Sequence, residues 1–548
     1  MSKKLFIISL LLISFFGYSQ EDAWVYFTNK PESQYYFDNP LQMLSQRSLD
    51  RRTIQNIVID LKDVPIHQPY VDQISASNGI EVKAKSKWFN AVHVRGSIAD
   101  IQNLSSLSFV DHLQFANRNL NGSNKIKTSK ITNNSKSAAL HKGSKIAETN
   151  SAFLYGNSAN QVNMLHVDYL HNQNYTGSGK IIAVMDAGFP NVNVVAPFQR
   201  LRDNNQILGG YNFVNRNDNF YTGNSHGTLV LSTMGGYVEN ELVGTAPDAN
   251  YYLFITEDAA TENPVEESNW VEAAEVADSL GVDIITTSLG YSDYDNPNYS
   301  YTYADMNGTT SFISRGADIA FSRGMICVVS AGNSGSTVNP NISVPADAYT
   351  VLSVGAVKSD GVYATFSSIG PSFDGRVKPD VMAQGQNSVL SNASGTITTA
   401  SGTSFSGPIM AGAIASIWQA APGLNNQQIV TFVKESADRF TNPTNQYGYG
   451  IPDFQQALNN ALVLSLNDTS KAKFLVYPNP ANSTLFVSFP DGFEEAKVVF
   501  YNFLGQNICE KIIQNSEDSV SLETLNSGIY FYKIESNSIV QTGKIIKN

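Results

Sequence analysis

The sequence predicts an α/β protein with a parallel-sheet central domain, preceded by a small α+β domain and followed by a small β-sandwich. Between residues 151 and 465, short apolar runs alternate with helical patterns, which is typical of a parallel sheet with helices on both faces. In residues 21–118 and 470–548, short strand patterns are separated by turn residues. Three folded domains are therefore expected in one chain.

Composition narrows the class of protein. The chain has 548 residues, of which 42% are hydrophobic, and this is enough to bury large cores. Its formal net charge of −12 and the lack of a long basic run argue against a nucleic-acid-binding surface. We therefore expect a globular protein with no nucleic-acid partner.

The amino terminus has the pattern of a secretory signal peptide. Lys3 and Lys4 precede an apolar run over residues 5–16, and small and polar residues follow to Gln20. The alternative, a membrane anchor, would need about 18 or more apolar residues, and this run is shorter. We predict that residues 1–20 are a signal peptide.

The α+β domain is predicted over residues 21–118. Its strands are expected near 23–27, 79–82, 89–94 and 109–113, and its helices near 66–77 and 97–104. A ligand-binding module is one interpretation of such a domain. From 119 to 150 the composition shifts to Asn, Ser, Lys, Thr and Gly, which predicts a linker open to proteolysis.

The elements of the central domain, residues 151–465, are predicted in chain order. They are a helix near 160–171, a strand near 180–185, a helix near 225–235, a strand near 251–255, a helix near 267–279, a strand near 283–288, a helix near 312–323, strands near 325–330 and 350–357, and a helix beginning beside Ser404. Ligands bind at the carboxyl ends of the strands in such a sheet. Polar side chains that follow the strands are therefore candidate site residues.

Ser404 lies where a loop of small residues becomes an apolar helix. We place Pro408 in the first turn of that helix, where its missing N–H costs nothing. A hydroxyl at a helix N-terminus suits nucleophilic attack, because the free amides and the helix dipole stabilise developing negative charge. Taken alone, a serine in this position is more often a capping residue.

Three other residues supply what a serine nucleophile needs: a base, a group that orients the base, and a donor for the oxyanion. Asp186 ends an apolar strand, and Asn333 follows another strand through a glycine turn. His226 opens a helix, with Ser225 as its expected cap. These positions favour a hydrolytic site built around Ser404.

His226 is the only one of the seven histidines that follows Asp186 in the chain. No HExxH pair or His/Cys cluster is present, which argues against a zinc hydrolase. We therefore assign no metal to the catalytic chemistry.

Four motifs resemble those of the subtilases, the subtilisin-like serine peptidases, and they occur in the order of that family. They are Asp186-Ala187-Gly188, His226-Gly227-Thr228, Ala331-Gly332-Asn333-Ser334-Gly335 and Gly402-Thr403-Ser404. The resemblance implies that Ser404 is the nucleophile, His226 the base, Asp186 its orienting group and Asn333 an oxyanion donor. It also implies a substrate groove lined by Ser288, Leu289, Gly290, Ala331 and Gly332.

The resemblance has further implications for the rest of the chain. The α+β domain is similar to the inhibitor-like propeptides of subtilases, which implies a zymogen that Ser404 cuts at or just after the last strand of that domain, or within the linker. No cofactor is required. Structural Ca²⁺ is a possibility because many subtilases bind it, and oxygen-rich loops occur at 215–219 and 292–296. Solvated loops explain these two segments more simply.

The last domain, residues 470–548, resembles the C-terminal sorting domains of type IX secretion cargo. The segments that carry this resemblance are Tyr477-Pro478-Asn479-Pro480-Ala481, Gly528-Ile529-Tyr530 and the basic end of the chain. It implies that outer-membrane secretion machinery is a partner and that the protein is secreted or held at the cell surface. A carbohydrate-binding or adhesive module is the alternative.

These patterns together predict a secreted serine endopeptidase that hydrolyses peptide bonds in proteins and is made as a self-processed zymogen. Its partners would be protein or peptide substrates, its own propeptide and the secretion machinery. The rival hypothesis is a surface or adhesion protein built on a catalytically inactive subtilase scaffold. The presence of all four site residues argues against that rival.

Overall fold

The structure, a computed structural model, describes residues 20–121, 153–469, 474–489, 493–502, 505–514, 519–536 and 539–548. The predicted signal peptide, except for its last residue, and nearly all of the predicted linker lie outside these residues. The chain divides into two compact units, Met1–Ala461 and Leu462–Asn548. In the described ranges, no helix is both long enough and apolar enough to span a membrane.

The N-terminal domain is an antiparallel sheet with helices. Its strands are β1 (Glu21–Phe27), β2 (Glu81–Ser86), β3 (Ala91–Gly96) and β4 (Val110–Phe115), and its helices are α1 (Ser33–Asp38), α2 (Gln46–Ile54), α3 (Gln68–Ser75) and α4 (Ile98–Asn103). The strand order is β2-β3-β1-β4. Helices α1 and α2 were not predicted. In α2 the buried residues are Ser48, Arg51 and Arg52, so the helix shows no apolar stripe.

The central domain contains a seven-stranded sheet in which every pair is parallel. Its strands, in sheet order, are β13 (Val381–Gln384), β12 (Leu352–Val357), β11 (Ile326–Ser330), β10 (Ile284–Thr287), β5 (Ile181–Asp186), β9 (Asn250–Ile255) and β6 (Ile207–Asn212). Two hairpins, β7–β8 (Tyr237–Val238 and Leu242–Val243) and β14–β15 (Ser388–Ser391 and Ile397–Ala400), lie outside it. The predicted parallel-sheet fold is confirmed.

The helices of the central domain follow the predicted alternation. They are α5 (Ala159–Asn163), α6 (Val167–His171), α7 (Gln199–Asp203), α8 (His226–Gly235), α9 (Val265–Leu280), α10 (Phe312–Ser322), α11 (Thr403–Ala420), α12 (Asn426–Glu435) and α13 (Phe454–Thr469). The helix predicted at 160–171 is two short helices, α5 and α6. Between them His166 adopts the left-handed backbone region with φ of 54°, which interrupts the helix.

Strand β5 shows how the sheet separates two cores. Ile182 and Val184 belong to the core that includes residues of α8 and α11, whereas Ile181 and Ala183 belong to the core that includes residues of α9 and α10. Successive side chains of a strand point to opposite faces, and here both faces are covered by helices. This is why the strand is apolar without alternation.

The C-terminal unit is rich in β-structure, as predicted. One sheet contains β16 (Leu475–Tyr477), β17 (Thr484–Ser488) and β20 (Ser519–Ser521), and the other contains β18 (Ala496–Tyr501), β19 (Asn507–Ile513), β21 (Gly528–Ser536) and β22 (Ile539–Lys547). Side chains of both sheets, among them Leu485 and Ile534, form one apolar core. The unit is therefore a small two-sheet sandwich.

The first prediction concerns the packing of α11 at Gly412, where an added Cβ would stand 2.1 Å from Thr245 Oγ1. Gly412→Ala should lower the free energy of unfolding by about 1–3 kcal/mol, because Thr245 would have to move from the Ile409 carbonyl that it bonds at 3.0 Å. The measurement is urea unfolding, performed with Ser404→Ala protein to prevent autolysis.

Gly423→Ala is the matched control, since nothing lies within 4 Å of a Cβ added there. Its free energy of unfolding should stay within about 0.5 kcal/mol of the parent. Equal stabilities of the two variants would show that Gly412 is not a close-packing position.

Candidate active site

The four predicted catalytic residues lie at strand ends and helix starts. Asp186 is the last residue of β5, and Asn333 follows β11 after two residues. His226 is the first residue of α8, and Ser404 is the second residue of α11. Because β5, β10 and β11 are neighbours in the sheet, their carboxyl ends form one edge beside these helix starts.

Asp186 and His226 form a pair, with His226 Nδ1 lying 2.8 Å from Asp186 Oδ1. The same carboxylate oxygen accepts the N–H of Ala187 at 2.8 Å. The Asp186 side chain is fully buried, whereas 30% of the His226 side chain is exposed. In the tautomer that donates from Nδ1 to the carboxylate, Nε2 is free to accept a proton.

The pKa of His226 is raised above its usual value. The charge of Asp186 is the main cause, and it outweighs the opposing effect of burial. The hydrogen bond from Asp186 and the nearby charge of Glu257 raise the pKa further. This environment stabilises an imidazolium.

The start of α8 differs from the prediction in one detail. Ser225 makes no capping hydrogen bond through its side chain. Instead, Asn224 Oδ1 accepts the backbone N–H of His226 at 2.9 Å. The cap is therefore displaced by one residue, and it fixes the backbone of the histidine itself.

Ser404 is almost buried, with 9% of its surface exposed. Its Oγ donates to the carbonyl of Ser288 at 3.4 Å. Between described residues no hydrogen bond joins His226 to Ser404, although the imidazole lies 6.1 Å from the ring of Phe405, centroid to centroid. Contacts of this kind often tighten only when substrate is bound.

Pro408 lies inside α11 and not in its first turn, because the helix begins at Thr403. A proline has no N–H to donate to the carbonyl four residues earlier, which here belongs to Ser404. The Oγ of Ser288 takes that place and donates to the Ser404 carbonyl at 2.8 Å. The proline thus leaves an acceptor through which the segment after β10 holds the backbone of Ser404.

The amide of Asn333 is held in one orientation. Its Oδ1 accepts from the Thr403 backbone N–H at 2.9 Å and from Thr403 Oγ1 at 3.0 Å. Its Nδ2 lies on the other side, 3.7 Å from where a Cβ on Gly402 would stand, and makes no hydrogen bond within the described parts of the chain. Nδ2 is therefore a donor beside Ser404 that is free to bind an oxyanion.

The five predicted substrate-binding residues follow the neighbouring strands β10 and β11. Gly290 permits a close approach, because a Cβ there would lie 2.4 Å from Ser343 Oγ. Gly332 has a φ of 106°, and its N–H donates to Thr403 Oγ1 at 3.2 Å. Ala331 is fully buried. The two segments are Ser288-Leu289-Gly290 and Ala331-Gly332.

Glu257 is a residue near the catalytic pair that sequence analysis missed. It lies two residues beyond β9, the neighbour of β5, and accepts the hydroxyl of Tyr291 at 2.7 Å. Burial raises the pKa of Glu257 to about 8. Its position after an apolar strand is the same signal that identified Asp186, so the sequence did contain it.

Carboxylates come together at one place among the described residues. Oxygen atoms of Glu257, Glu262 and Glu266 lie within 4.8 Å of one another. This cluster is outside the two loops that were considered for calcium. In those loops, Asn217 Oδ1 accepts from Asn219 and Asp295 Oδ2 accepts from Glu262, so both side chains already stabilise turns. Calcium binding stays a prediction.

Three family models match the chain. The propeptide domain of peptidase S8 from Bacteroidota matches residues 22–135, the subtilase family matches 177–450, and the secretion system C-terminal sorting domain matches 475–548. Subtilisin DY of Bacillus licheniformis is 29% identical over 52% of this chain and 93% of its own length. Subtilisin Savinase of Lederbergia lenta is 30% identical over 52% and 93%, and subtilisin E of Bacillus subtilis is 30% identical over 54% and 70%.

The second prediction is a pH dependence. Activity should rise with pH as His226 loses its proton, because only the neutral imidazole can accept a proton from serine. Since Asp186 raises this pKa, the midpoint of the acid limb of kcat/KM should lie above the usual histidine value of about 6.5. In Asp186→Asn the midpoint should fall, and kcat should drop by roughly 10⁴-fold.

Glu239→Gln is the control, because it removes one exposed charge and should leave the midpoint unchanged. The measurement is a pH–rate profile with a fluorogenic peptide. If Asp186→Asn kept the parent midpoint, the carboxylate would not be acting on His226.

Proposed function

The chain is a serine-type endopeptidase of the subtilase family, and we propose that Asp186, His226 and Ser404 form its catalytic triad. The observation that carries the proposal is the 2.8 Å contact between Asp186 and His226 at the sheet edge where the Ser404 helix begins. The sorting domain indicates export and a secreted or cell-surface location. No comparison supports the rival hypothesis of an inactive scaffold.

In the proposed reaction, His226 Nε2 takes the proton of Ser404 while Oγ attacks the carbonyl carbon of the scissile peptide. The resulting oxyanion accepts hydrogen bonds from Asn333 Nδ2 and from the backbone N–H of Ser404. The imidazolium then gives its proton to the leaving amine, the C–N bond breaks, and an acyl-enzyme remains. Asp186 keeps the imidazole in the correct tautomer and stabilises its positive charge.

Deacylation would repeat these steps with water as the nucleophile. His226 takes a proton from water, the acyl group leaves as a carboxylic acid, and Ser404 regains its proton. We propose that Ser288, Leu289 and Gly290 on one side and Ala331 and Gly332 on the other hold the substrate backbone. No step needs a cofactor, and any Ca²⁺ would have a structural role.

We propose that Ser404 also removes the N-terminal domain, with the cut beyond Asn121. Directly after β4, Ala116 and Asn117 are buried. Asn121 closes a turn onto Phe115, accepting its N–H at 2.8 Å and donating to its carbonyl at 2.9 Å. A cut immediately after Phe115 would have to open this turn. The linker is therefore the better place for it.

The third prediction tests the nucleophile and self-processing together. Purified Ser404→Ala should keep the N-terminal and central domains in one chain and should not react with a fluorophosphonate probe. The parent protein should react, and on a gel it should lose roughly the segment before residue 150. Both outcomes follow because the substitution removes only the attacking oxygen.

Ser401→Ala is the matched control, because it removes an exposed hydroxyl three residues earlier. It should process and react like the parent. Equally fast maturation of Ser404→Ala without added protease would rule out self-processing by this serine.

The fourth prediction concerns the sorting domain. Deletion of residues 475–548 should leave peptide hydrolysis intact, since every proposed catalytic residue lies in the other unit. In cells with a type IX secretion system, the shortened protein should stay in the periplasm, as shown by fractionation and immunoblotting. Export at the rate of the full chain would contradict the proposed role.

A further inference from the structure

The N-terminal domain contacts the central domain in two separate places. The first contact is made by its sheet, which packs against α9 and α10. The ring of Trp24 stacks on Phe312 with centroids 4.9 Å apart, and its indole N–H donates to Ser268 at 2.9 Å. Glu275 of α9 accepts the backbone N–H of Trp88 at 2.9 Å. This contact is apolar at its centre and hydrogen-bonded around it.

The second contact is made by α2, in the segment between β1 and α3. Arg51 donates to Asp278 Oδ1 at 2.5 Å, and Arg52 donates to Asp278 Oδ2 at 2.7 Å. Arg52 also pairs with Asp63 of its own domain at 2.7 Å. Each of these four side chains is at most 4% exposed. We call Arg51, Arg52, Asp63 and Asp278 the arginine clamp.

Neighbouring residues extend this second contact. Arg47 pairs with Asp283 at 2.7 Å, and Gln55 donates to the carbonyl of Gly324 at 2.9 Å. Gly281 has a φ of 84°, and a Cβ on it would lie 2.9 Å from the backbone of α2. The surfaces therefore match in shape as well as in charge, with cations on α2 and carboxylates on the central domain.

The arginine clamp and the catalytic residues lie at opposite ends of the sheet. Asp283 immediately precedes β10 and accepts the N–H of Ile181, the first residue of β5, at 2.8 Å. Asp278 is in the last turn of α9, just before that strand. The clamp thus holds the amino-terminal edge of the sheet, whereas Asp186 and Asn333 are at its carboxyl edge.

The body of the N-terminal domain leaves the catalytic histidine open. With the domain docked, 30% of the His226 side chain remains exposed. Within the part of the chain that the structure describes, no hydrogen bond joins the domain to Asp186, His226, Asn333 or Ser404. The docked domain and an accessible site are therefore compatible.

We propose that the arginine clamp retains the N-terminal domain as a non-covalent subunit after the chain is cut, and that the cut enzyme works with this subunit in place. The partner of the clamp surface is the chain's own residues 21–121. Two separated contacts must open together before the domain can leave, and whichever remains closed keeps the other at high effective concentration. The proposal rests on the proposed cut in the linker, but its test does not depend on self-processing.

The test uses the full chain with Ser404→Ala and a recognition sequence for a site-specific protease placed within residues 122–152. After cutting, the protein is immobilised through its C-terminus and release of the N-terminal fragment is followed over time. The unaltered pair should stay together on size exclusion and in native mass spectrometry. Arg51→Met should release the fragment about a hundredfold faster, because it leaves Asp278 with one cation fewer in a buried site.

Arg118→Met is the matched control. Arg118 also pairs across the interface, with Asp305 at 3.1 Å, but these side chains are 36% and 18% exposed. Its loss should change the release rate by no more than about fivefold. Arg51 pairs only with the central domain, so its replacement removes no ion pair inside the N-terminal domain.

Asp278→Asn tests the clamp from the other side and should also speed release by about a hundredfold. It decides the question if Arg51→Met does not fold. Separation of the unaltered fragments on cutting would overturn the proposal, and so would release from both clamp variants at the unaltered rate.

A last measurement uses the same cut in a chain that keeps Ser404. The co-eluting pair of fragments should hydrolyse a fluorogenic peptide. A pair that becomes active only after the N-terminal fragment is stripped away would overturn the second half of the proposal. No hydrolysis before or after stripping would overturn that half together with the proposed catalytic assignment, and the binding measurements would still decide retention.

Discussion

The helix that carries Ser404 is buried along almost its entire length, and the central domain is built around this constraint. All residues of α11 from Thr403 to Trp418 are buried. A helix can lie this close to its neighbours only where its side chains are small, as at Gly412 against Thr245. Because a helix so enclosed cannot shift, Ser404 keeps a fixed position relative to the strand ends.

Two short connections complete the positioning of Ser404. Thr403 Oγ1 accepts the N–H of Gly332 and donates to Asn333 Oδ1, so one hydroxyl joins the helix start to the segment after β11. On the other side, Ser288 bonds the Ser404 carbonyl that Pro408 leaves free. The first turn of α11 is therefore fastened to the loops after both central strands, and these loops also carry the predicted substrate-binding residues.

Sequence patterns predicted those parts of the fold where local and tertiary demands agree. Strand β5 and its neighbours were predictable because they are buried on both faces and therefore uninterrupted in hydrophobicity. Strand β6 was not predicted, since Gly209 and Gly210 break its pattern and it lies at the edge of the sheet. Helix α2 escaped because arginines, not apolar residues, form its buried face.

The candidate site shows the same division. Motifs predicted that Asp186 and His226 act together, but the contact between residues 40 positions apart is a property of the folded sheet. The true start of α11, and with it the role of Pro408, depends on packing that no local pattern records. Glu257 was passed over because a polar residue after a strand is ordinarily a loop residue. The domain boundaries and the roles of the site residues remain predictions.

The arginine clamp has a consequence for how interchangeable such N-terminal domains are. One buried ion pair is divided between two segments more than two hundred residues apart, Arg51 on one and Asp278 on the other. A foreign domain that lacked these cations would press an unmatched carboxylate into an apolar interface, which is strongly unfavourable. A few buried charges would thus make the domain a private partner of its own enzyme, even where several related enzymes are exported side by side.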